Sequence, residues 1–165
     1  MIFSKKIPSP IGPLFLVANQ QALIALDNNT FELFTIAQES KTHEILNKAH
    51  KQLDEYFAGK RLNFSVPLEV KGTPFQIMVW EALKQIPFGE IWSYGKQAMY
   101  LKKPKAFRAV GAANGKNPIA IIIPCHRVVG STGKLTGYSS GMKMKVELLQ
   151  HEGHLIEDLI VRDQS

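Results

Sequence analysis

The first part of the chain carries short apolar runs typical of strands, followed by apolar positions at helical spacing. Apolar runs at 13–18 and 22–26 flank a polar turn at 19–21, which predicts a strand hairpin. Apolar positions recur at helical spacing across 41–57, which predicts an amphipathic helix, and the alternation at 62–66 predicts one further strand. We therefore expect a small antiparallel sheet with one helix packed on it.

The second part of the chain shows helical spacing almost throughout. Thr73 is a suitable N-cap, and the apolar face that follows it predicts a helix that runs to Ile86. Further helices are predicted at 93–101, 104–113 and 142–151. The two short adjacent helices enclose a tight turn, and such a pair indicates a helix-turn-helix.

This change of pattern predicts an α+β protein with two domains, an N-terminal α/β domain at 1–72 and a mostly helical C-terminal domain at 73–165. With 45% hydrophobic and 21% charged residues, the composition is that of a globular protein. No apolar stretch approaches the roughly 20 residues that span a bilayer, and the start lacks a secretory signal. We expect an intracellular, cytoplasmic protein that does not contact a membrane.

Charge is distributed unevenly along the chain. Residues 1–72 hold eight basic and seven acidic side chains, whereas residues 91–146 hold ten basic side chains and no acidic one. A stretch of this length without a carboxylate favours binding to a polyanion, because an acid would repel phosphate. A solvated lysine-rich surface is the alternative.

Cys125 is the only cysteine, so it forms neither an internal disulfide nor a multi-thiolate zinc site. It follows the β-branched run 119–123, which predicts a buried extended segment. His126 and Arg127 come next, and an imidazole or cation close to a thiol favours the reactive thiolate. Cys125 is therefore either a packing residue or a nucleophile at the edge of a pocket.

The residues around Cys125 match a known pattern. Pro124-Cys125-His126-Arg127-Val128 resembles the active-site motif of the O6-alkylguanine-DNA alkyltransferases, also called methylated-DNA–protein-cysteine methyltransferases. The resemblance runs from about Thr73 to Gly153. Further segments agree with the family at its spacing: Ser9-Pro10-Ile11-Gly12-Pro13, Phe75-Gln76 with Val79-Trp80, Ser93-Tyr94, Arg108-Ala109-Val110-Gly111, Asn117-Pro118, Gly137-Tyr138-Ser139 and His151-Glu152-Gly153.

The resemblance implies a ribonuclease H-like N-terminal domain, a winged-helix C-terminal domain and irreversible, single-turnover transfer of an alkyl group from O6-alkylguanine in DNA to Cys125. O4-alkylthymine stays open as a second substrate. The implied catalytic chain runs from Glu152 to His126 and through a water to Cys125. Tyr94 is the implied acid near the base and Asn117 braces the site. On residue type alone, Tyr94 is equally a packing residue and Asn117 a turn residue.

DNA contacts are also implied. Arg108 takes the place of a flipped nucleotide, with its helix in the minor groove, although a phosphate contact is its simplest role. The other implied DNA contacts are Ser93, Tyr94, Lys105, Ala109, Gly111 and Arg127, and the base pocket is formed by Val128, Tyr138 and Ser139. Phe107 departs from the family, which usually has a small residue there.

The expected partner is double-stranded DNA with an alkylated guanine, bound by a monomer without cofactor or metal. Three other functions stay open. One is a non-catalytic lesion sensor, although sensors of this kind lack the cysteine. The others are a cysteine hydrolase that uses Cys125 and His126 and turns over, and a helix-turn-helix regulator with an inert thiol.

Overall fold

The computed structural model describes residues 1–130 and 141–155, and the chain divides into two compact units, Met1–Val70 and Lys71–Ser165. The first unit contains four strands and two helices among the described residues. These are β1 (Phe3–Ile7), β2 (Leu14–Ala18), β3 (Leu23–Asp27), α1 (Glu32–Ile36), β4 (Gln38–Glu39) and α2 (Glu44–Phe57).

The sheet of the first unit has the strand order β3-β2-β1-β4, antiparallel except for the parallel pair β1–β4. The side chain of Asn19 shapes the hairpin turn, because its Oδ1 accepts from the backbone N–H groups of Gln21 and Ala22, at 2.8 Å each. All five residues of β2 are buried, as expected of a central strand. Helix α2 contacts β1, β2 and β3, and its buried residues are Leu46, Ala49, Gln52, Leu53 and Tyr56.

The second unit is mostly helical. Its described elements are α3 (Pro74–Leu83), β5 (Trp92–Ser93), α4 (Tyr94–Tyr100), α5 (Phe107–Asn114), β6 (Val128–Val129) and α6 (Met142–His151), with 3-10 turns at Pro104–Ala106 and Cys125–Arg127. Strands β5 and β6 form a two-stranded parallel sheet. In the part of the chain that the structure describes, no helix is long and apolar enough to cross a membrane.

A buried polar pair joins the two helices of the helix-turn-helix. Gln97 of α4 and Asn114 of α5 exchange two side-chain hydrogen bonds of 3.0 and 2.8 Å, and each residue is buried. The indole of Trp80, in α3, donates to the carbonyl of Ala113 at 2.8 Å. Because buried amides that lose their partners are costly, these bonds fix how α3, α4 and α5 pack.

The mixed α+β architecture, the hairpin, the helix after Thr73 and the helix at 142–151 are confirmed. Two predictions are wrong. No strand forms at 62–66, because Ser65 hydrogen-bonds to the side chain of Gln52 and the only bridge nearby joins Leu23 to Leu68. The run at 119–123 is buried but turns tightly, with Ile121 in the left-handed region at φ 72° and the N–H of Ile123 bonded to the carbonyl of Ile119.

Candidate active site

Cys125 begins the 3-10 turn Cys125–Arg127, and its side chain is buried, with 6% exposed. A 3-10 helix has about three residues per turn, so consecutive side chains leave it in different directions. Cys125 accordingly contacts Asn117, whereas His126 and Arg127 both reach Glu152. One short turn therefore connects the thiol to two separate hydrogen-bonding groups.

Asn117 holds both ends of the loop that precedes Cys125. Its Oδ1 accepts from the backbone N–H of Ile119 at 3.0 Å, which identifies the other side-chain atom as the amide nitrogen. That nitrogen donates to the carbonyl of Ile123 at 2.7 Å and to Sγ of Cys125 at 3.1 Å. Asn117 thus positions the sulfur and supplies a donor that stabilises negative charge on it.

Glu152 is the C-cap of α6, and the end of this helix fixes its place. Gly153 has φ 98°, and the N–H groups of Gly153 and His154 bond back to Gln150 and Leu149, which is a Schellman ending. A carboxylate at the negative end of a helix is unfavourable unless cations compensate it. Glu152 is only 5% exposed, so its compensation comes from protein groups.

That compensation comes from His126 and Arg127. Nε2 of His126 lies 2.8 Å from one oxygen of Glu152, and Arg127 binds both oxygens, with Nε at 2.7 Å and Nη2 at 2.9 Å. The remaining terminal nitrogen of Arg127 donates to the carbonyl of Ile86 at 2.6 Å. This is a bidentate, buried ion pair with an imidazole on the same carboxylate.

The pKa shifts of Glu152 and His126 define the protonation states of these two groups. Burial raises the pKa of Glu152, but the hydrogen bonds from His126 and Arg127, the charge of protonated His126 and the charge of Arg127 outweigh burial and hold that pKa well below its usual range. Burial lowers the pKa of His126, and Glu152 offsets only part of this effect. At pH 7 Glu152 is therefore ionised and the adjacent His126 is neutral.

An ionised carboxylate only accepts hydrogen bonds, so Nε2 of the neutral His126 carries the proton and Nδ1 carries the lone pair. Nδ1 is buried and has no hydrogen-bond partner among the described residues. The imidazole is thus a base whose accepting nitrogen is the one not bonded to Glu152.

Lys145 is a site residue that the sequence-based prediction missed. Its side chain is 1% exposed, and Nζ donates to the carbonyl of Val128 at 2.7 Å. Burial lowers its pKa to about 8, opposed by the negative charge of an ionised Cys125. The sequence held a signal, because Lys145 precedes Leu148 and Leu149 by three and four residues and so lies on the apolar face of α6.

Tyr94 starts α4 directly after the N-cap Ser93, whose hydroxyl accepts from the N–H of Lys96 at 2.9 Å. Tyr94 is half-buried. A Cβ added to Gly111 would lie 3.6 Å from its ring, so Gly111 lets the ring approach α5 closely. Ser93 and Gly111 thus have structural roles, beside any contact with DNA.

Three consecutive residues at the start of α5 are exposed: Phe107, Arg108 and Ala109. Lys105, in the preceding turn, is exposed as well. Of the ten basic residues at 91–146, Arg127 and Lys145 are buried and Lys134 lies outside the described residues. The other seven are exposed: Lys96, Lys102, Lys103, Lys105, Arg108, Lys116 and Lys143.

The structure places Cys125 against Asn117 and His126 against Glu152, and the 3-10 turn Cys125–Arg127 connects these two hydrogen-bonded pairs. The prediction that Arg127 contacts DNA is corrected, because the residue is only 6% exposed and its guanidinium is bonded to Glu152 and Ile86. Val128, predicted to line the base pocket, is fully buried, and its carbonyl accepts a hydrogen bond from Lys145. The predicted pocket residues Tyr138 and Ser139 lie outside the described residues.

Two family descriptions match nearly the whole chain. Residues 2–70 match "6-O-methylguanine DNA methyltransferase, ribonuclease-like domain", and residues 74–154 match "6-O-methylguanine DNA methyltransferase, DNA binding domain". A methylated-DNA–protein-cysteine methyltransferase of Methanosarcina acetivorans is 47% identical over 147 residues, which cover 88% of this chain and 94% of that protein. One of Shigella flexneri is 40% identical over 167 residues, covering 94% and 98%.

Solved structures agree with these matches. The crystal structure of Mycobacterium tuberculosis O6-methylguanine methyltransferase superposes with a TM-score of 0.86 at 46% identity, covering 92% of this chain and 93% of that chain. The crystal structure of Mycobacterium tuberculosis OGT in complex with DNA gives a TM-score of 0.85 at 46% identity, with 91% and 92% covered.

Proposed function

Because the chain belongs to the 6-O-methylguanine DNA methyltransferase family, we propose that Cys125 is the residue that accepts the alkyl group. The protein repairs DNA by transferring an alkyl group to a cysteine. The chain has a single cysteine, and it is this observation that carries the assignment. The substrate we propose is O6-alkylguanine in duplex DNA, which places the protein inside the cell.

The first step is removal of the thiol proton. The lone pair on Nδ1 of His126 accepts this proton through one bridging water, which leaves a thiolate on Cys125 and an imidazolium on His126. Glu152 stabilises the imidazolium through the existing 2.8 Å contact. The thiolate in turn is stabilised by the amide of Asn117 at 3.1 Å and by the nearby positive charge of Lys145.

The second step is alkyl transfer. Sγ of Cys125 attacks the alkyl carbon, an S–C bond forms, and the bond from that carbon to O6 breaks with its electron pair moving to guanine. We propose that the hydroxyl of Tyr94 donates a proton to the departing base, so that no bare anion forms. The product is a thioether that thiol exchange does not reverse, and no second cysteine is present to resolve it. Each molecule therefore reacts once.

The DNA must present the alkyl group to a thiol that is only 6% exposed. A base stacked in a duplex cannot reach such a site, so the nucleotide has to rotate out. We propose that exposed Arg108 occupies the space it leaves, while Lys105 and the other exposed cations contact phosphates. Ala109 adds a small side chain that permits close approach of α5 to the groove.

The test is incubation with a duplex that contains O6-methylguanine, followed by intact-protein and peptide mass spectrometry. We expect one methyl group in place of the thiol hydrogen of Cys125, in amounts that never exceed one per protein molecule. Cys125→Ser keeps a side chain of similar size beside Asn117 and should gain none. A methyl group elsewhere would refute the assignment, repeated turnover would indicate a hydrolase, and binding without transfer would indicate a sensor.

A further inference from the structure

Phe107 stands out among the aromatic residues of the protein. All nine phenylalanines lie within the described residues, and Phe107 is the only one of them that is exposed, with 47% of its surface accessible. It is the first residue of α5, next to Arg108. The eight other phenylalanines are buried or half-buried, so the exposure of Phe107 is an exception within this protein.

The exposed residues around Phe107 are either cationic or have small side chains. The guanidinium of Arg108 lies 5.9 Å from the centroid of the Phe107 ring. Lys105 and Ala109 are exposed on either side, as is Ala112 one turn further along α5. The ring is therefore the largest apolar group exposed on this helix, and it is held next to the residue that we expect to enter the base stack.

We propose that Phe107 is a DNA-contacting residue whose ring is buried by the duplex beside Arg108, a role that rests on the proposed function. The exposed cations around Phe107 favour a polyanion as the binding partner of this surface. A DNA duplex is a polyanion that also has sugars and base edges against which an aromatic ring can pack. Apolar side chains of proteins that enter the minor groove act in this way, by wedging against base steps. Phe107 thereby sets how closely α5 fits the groove.

This role has a signature that separates it from the role of the lysines. A lysine that neutralises a phosphate releases condensed counterions, so its loss reduces the dependence of log affinity on log salt by about 0.9. A ring buried against sugar and base releases no counterions. Loss of the ring should therefore lower affinity equally at every salt concentration and leave the salt dependence unchanged.

The experiment measures affinity for one O6-methylguanine duplex at several salt concentrations. It uses four proteins that all carry Cys125→Ser: the parent, Phe107→Ala, Lys105→Ala and Met78→Ala. For Phe107→Ala we expect roughly a tenfold weaker affinity with the parent's salt slope. Lys105→Ala should show a smaller slope. Met78, which is 40% exposed on α3 and precedes the basic stretch, is the matched apolar control and should leave affinity unchanged.

An unchanged or tighter affinity of Phe107→Ala would overturn the proposal, the latter showing that the ring obstructs the groove. An altered salt slope would overturn it too. A second variant, Phe107→Trp, reports burial directly, because Trp80 and Trp92 are only 3% and 8% exposed and form a constant background. Its added emission should shift to shorter wavelength when duplex is bound, and an unshifted emission would contradict burial of the ring.

Failure of this inference is distinguishable from failure of the proposed function. The protein with Cys125 intact is tested for methyl transfer from the same duplex and from free O6-methylguanine base. If transfer from duplex occurs and Phe107→Ala binds like its parent, only the role of Phe107 is wrong. If no transfer occurs on either substrate, the proposed function is wrong whatever Phe107 does.

Discussion

Replacement of Arg127 by alanine tests the buried ion pair at the centre of the site. The change removes both hydrogen bonds to Glu152, of 2.7 and 2.9 Å, and the 2.6 Å bond to the carbonyl of Ile86. It leaves a carboxylate that is 5% exposed and has lost its bidentate counter-charge, while the contact with His126 at 2.8 Å remains. We expect a large loss of folding stability, because a buried charge loses its counter-charge.

The magnitude follows from measured behaviour of such pairs. Removing one partner of a buried pair costs about 3–5 kcal/mol. Since proteins of this kind are stable by only about 5–15 kcal/mol, this change can remove half of the total. Arg127→Lys keeps the positive charge but not the planar fork that binds both oxygens, and it should lose less.

The dependence on pH adds a second, independent readout. In the wild type the pKa of Glu152 is depressed, so its contribution to stability is complete above its ordinary pKa of 4.5 and is lost as pH falls below that value. In Arg127→Ala the pKa of Glu152 should be higher than in the wild type, because the hydrogen bonds and charge of Arg127 no longer help to lower it, so part of the penalty is relieved as pH falls. The stability difference between the two proteins should therefore narrow towards acid pH.

Urea denaturation from pH 7 to pH 4, followed by tryptophan fluorescence, measures both quantities. A loss below about 1 kcal/mol at pH 7 would contradict the buried ion pair, since that is the range of an exposed pair. An unchanged stability together with weaker binding of duplex would restore the prediction that Arg127 contacts DNA.

Two further variants test separate parts of the proposal. Arg108→Ala should slow alkyl transfer from duplex DNA roughly a hundredfold, because unstacking a base costs a few kcal/mol and each 1.4 kcal/mol is about tenfold in rate. Transfer from free O6-methylguanine base should be unaffected, because a free base needs no unstacking. Equal slowing on both substrates would contradict a role of Arg108 in nucleotide extrusion. Lys145→Met removes a buried amine whose folded-state pKa is about 8, below its ordinary 10.5. Between pH 8 and 10.5 the free energy of unfolding of the wild type should rise by about 3 kcal/mol relative to this variant, because the unfolded chain still holds the Lys145 proton that the folded protein has released. Parallel curves of unfolding free energy against pH, measured by urea denaturation, would refute this.

The parts of the fold that the sequence predicted depend on local interactions. Thr73 and Gln76 form a reciprocal capping box, and Ser93 caps α4, so both helix starts are encoded within three residues. Asn19 encodes the hairpin turn in the same way. The turn that we propose to be reactive is indicated by a motif of five consecutive residues, with its proposed partners at the family's spacing.

The parts that could not be predicted depend on contacts between distant residues. Arg127 and Glu152 are 25 residues apart, and no local pattern shows that a cation next to a cysteine points inward. The run 119–123 has the composition of a strand, yet the side chain of Asn117 bonds Ile119 and Ile123 and so closes it into a turn. Strand β1 escaped prediction because it places three consecutive polar residues, Ser4, Lys5 and Lys6, between two apolar ones, which is neither an apolar run nor an alternation.

We propose two physical reasons for the stretch without acidic residues at 91–146. Its exposed cations suit phosphate, and an acid among them would repel DNA. Among its described residues two cations are buried, Arg127 and Lys145, and both lie at the proposed site. An additional carboxylate there would compete with Glu152 for Arg127 or oppose a thiolate on Cys125. Among the described residues Glu152 is the only buried carboxylate. The acid of the proposed site thus lies just beyond the stretch, at a helix end that holds it against His126, so that under the proposed function the same charge pattern suits both the binding of DNA and the ionisation of the thiol.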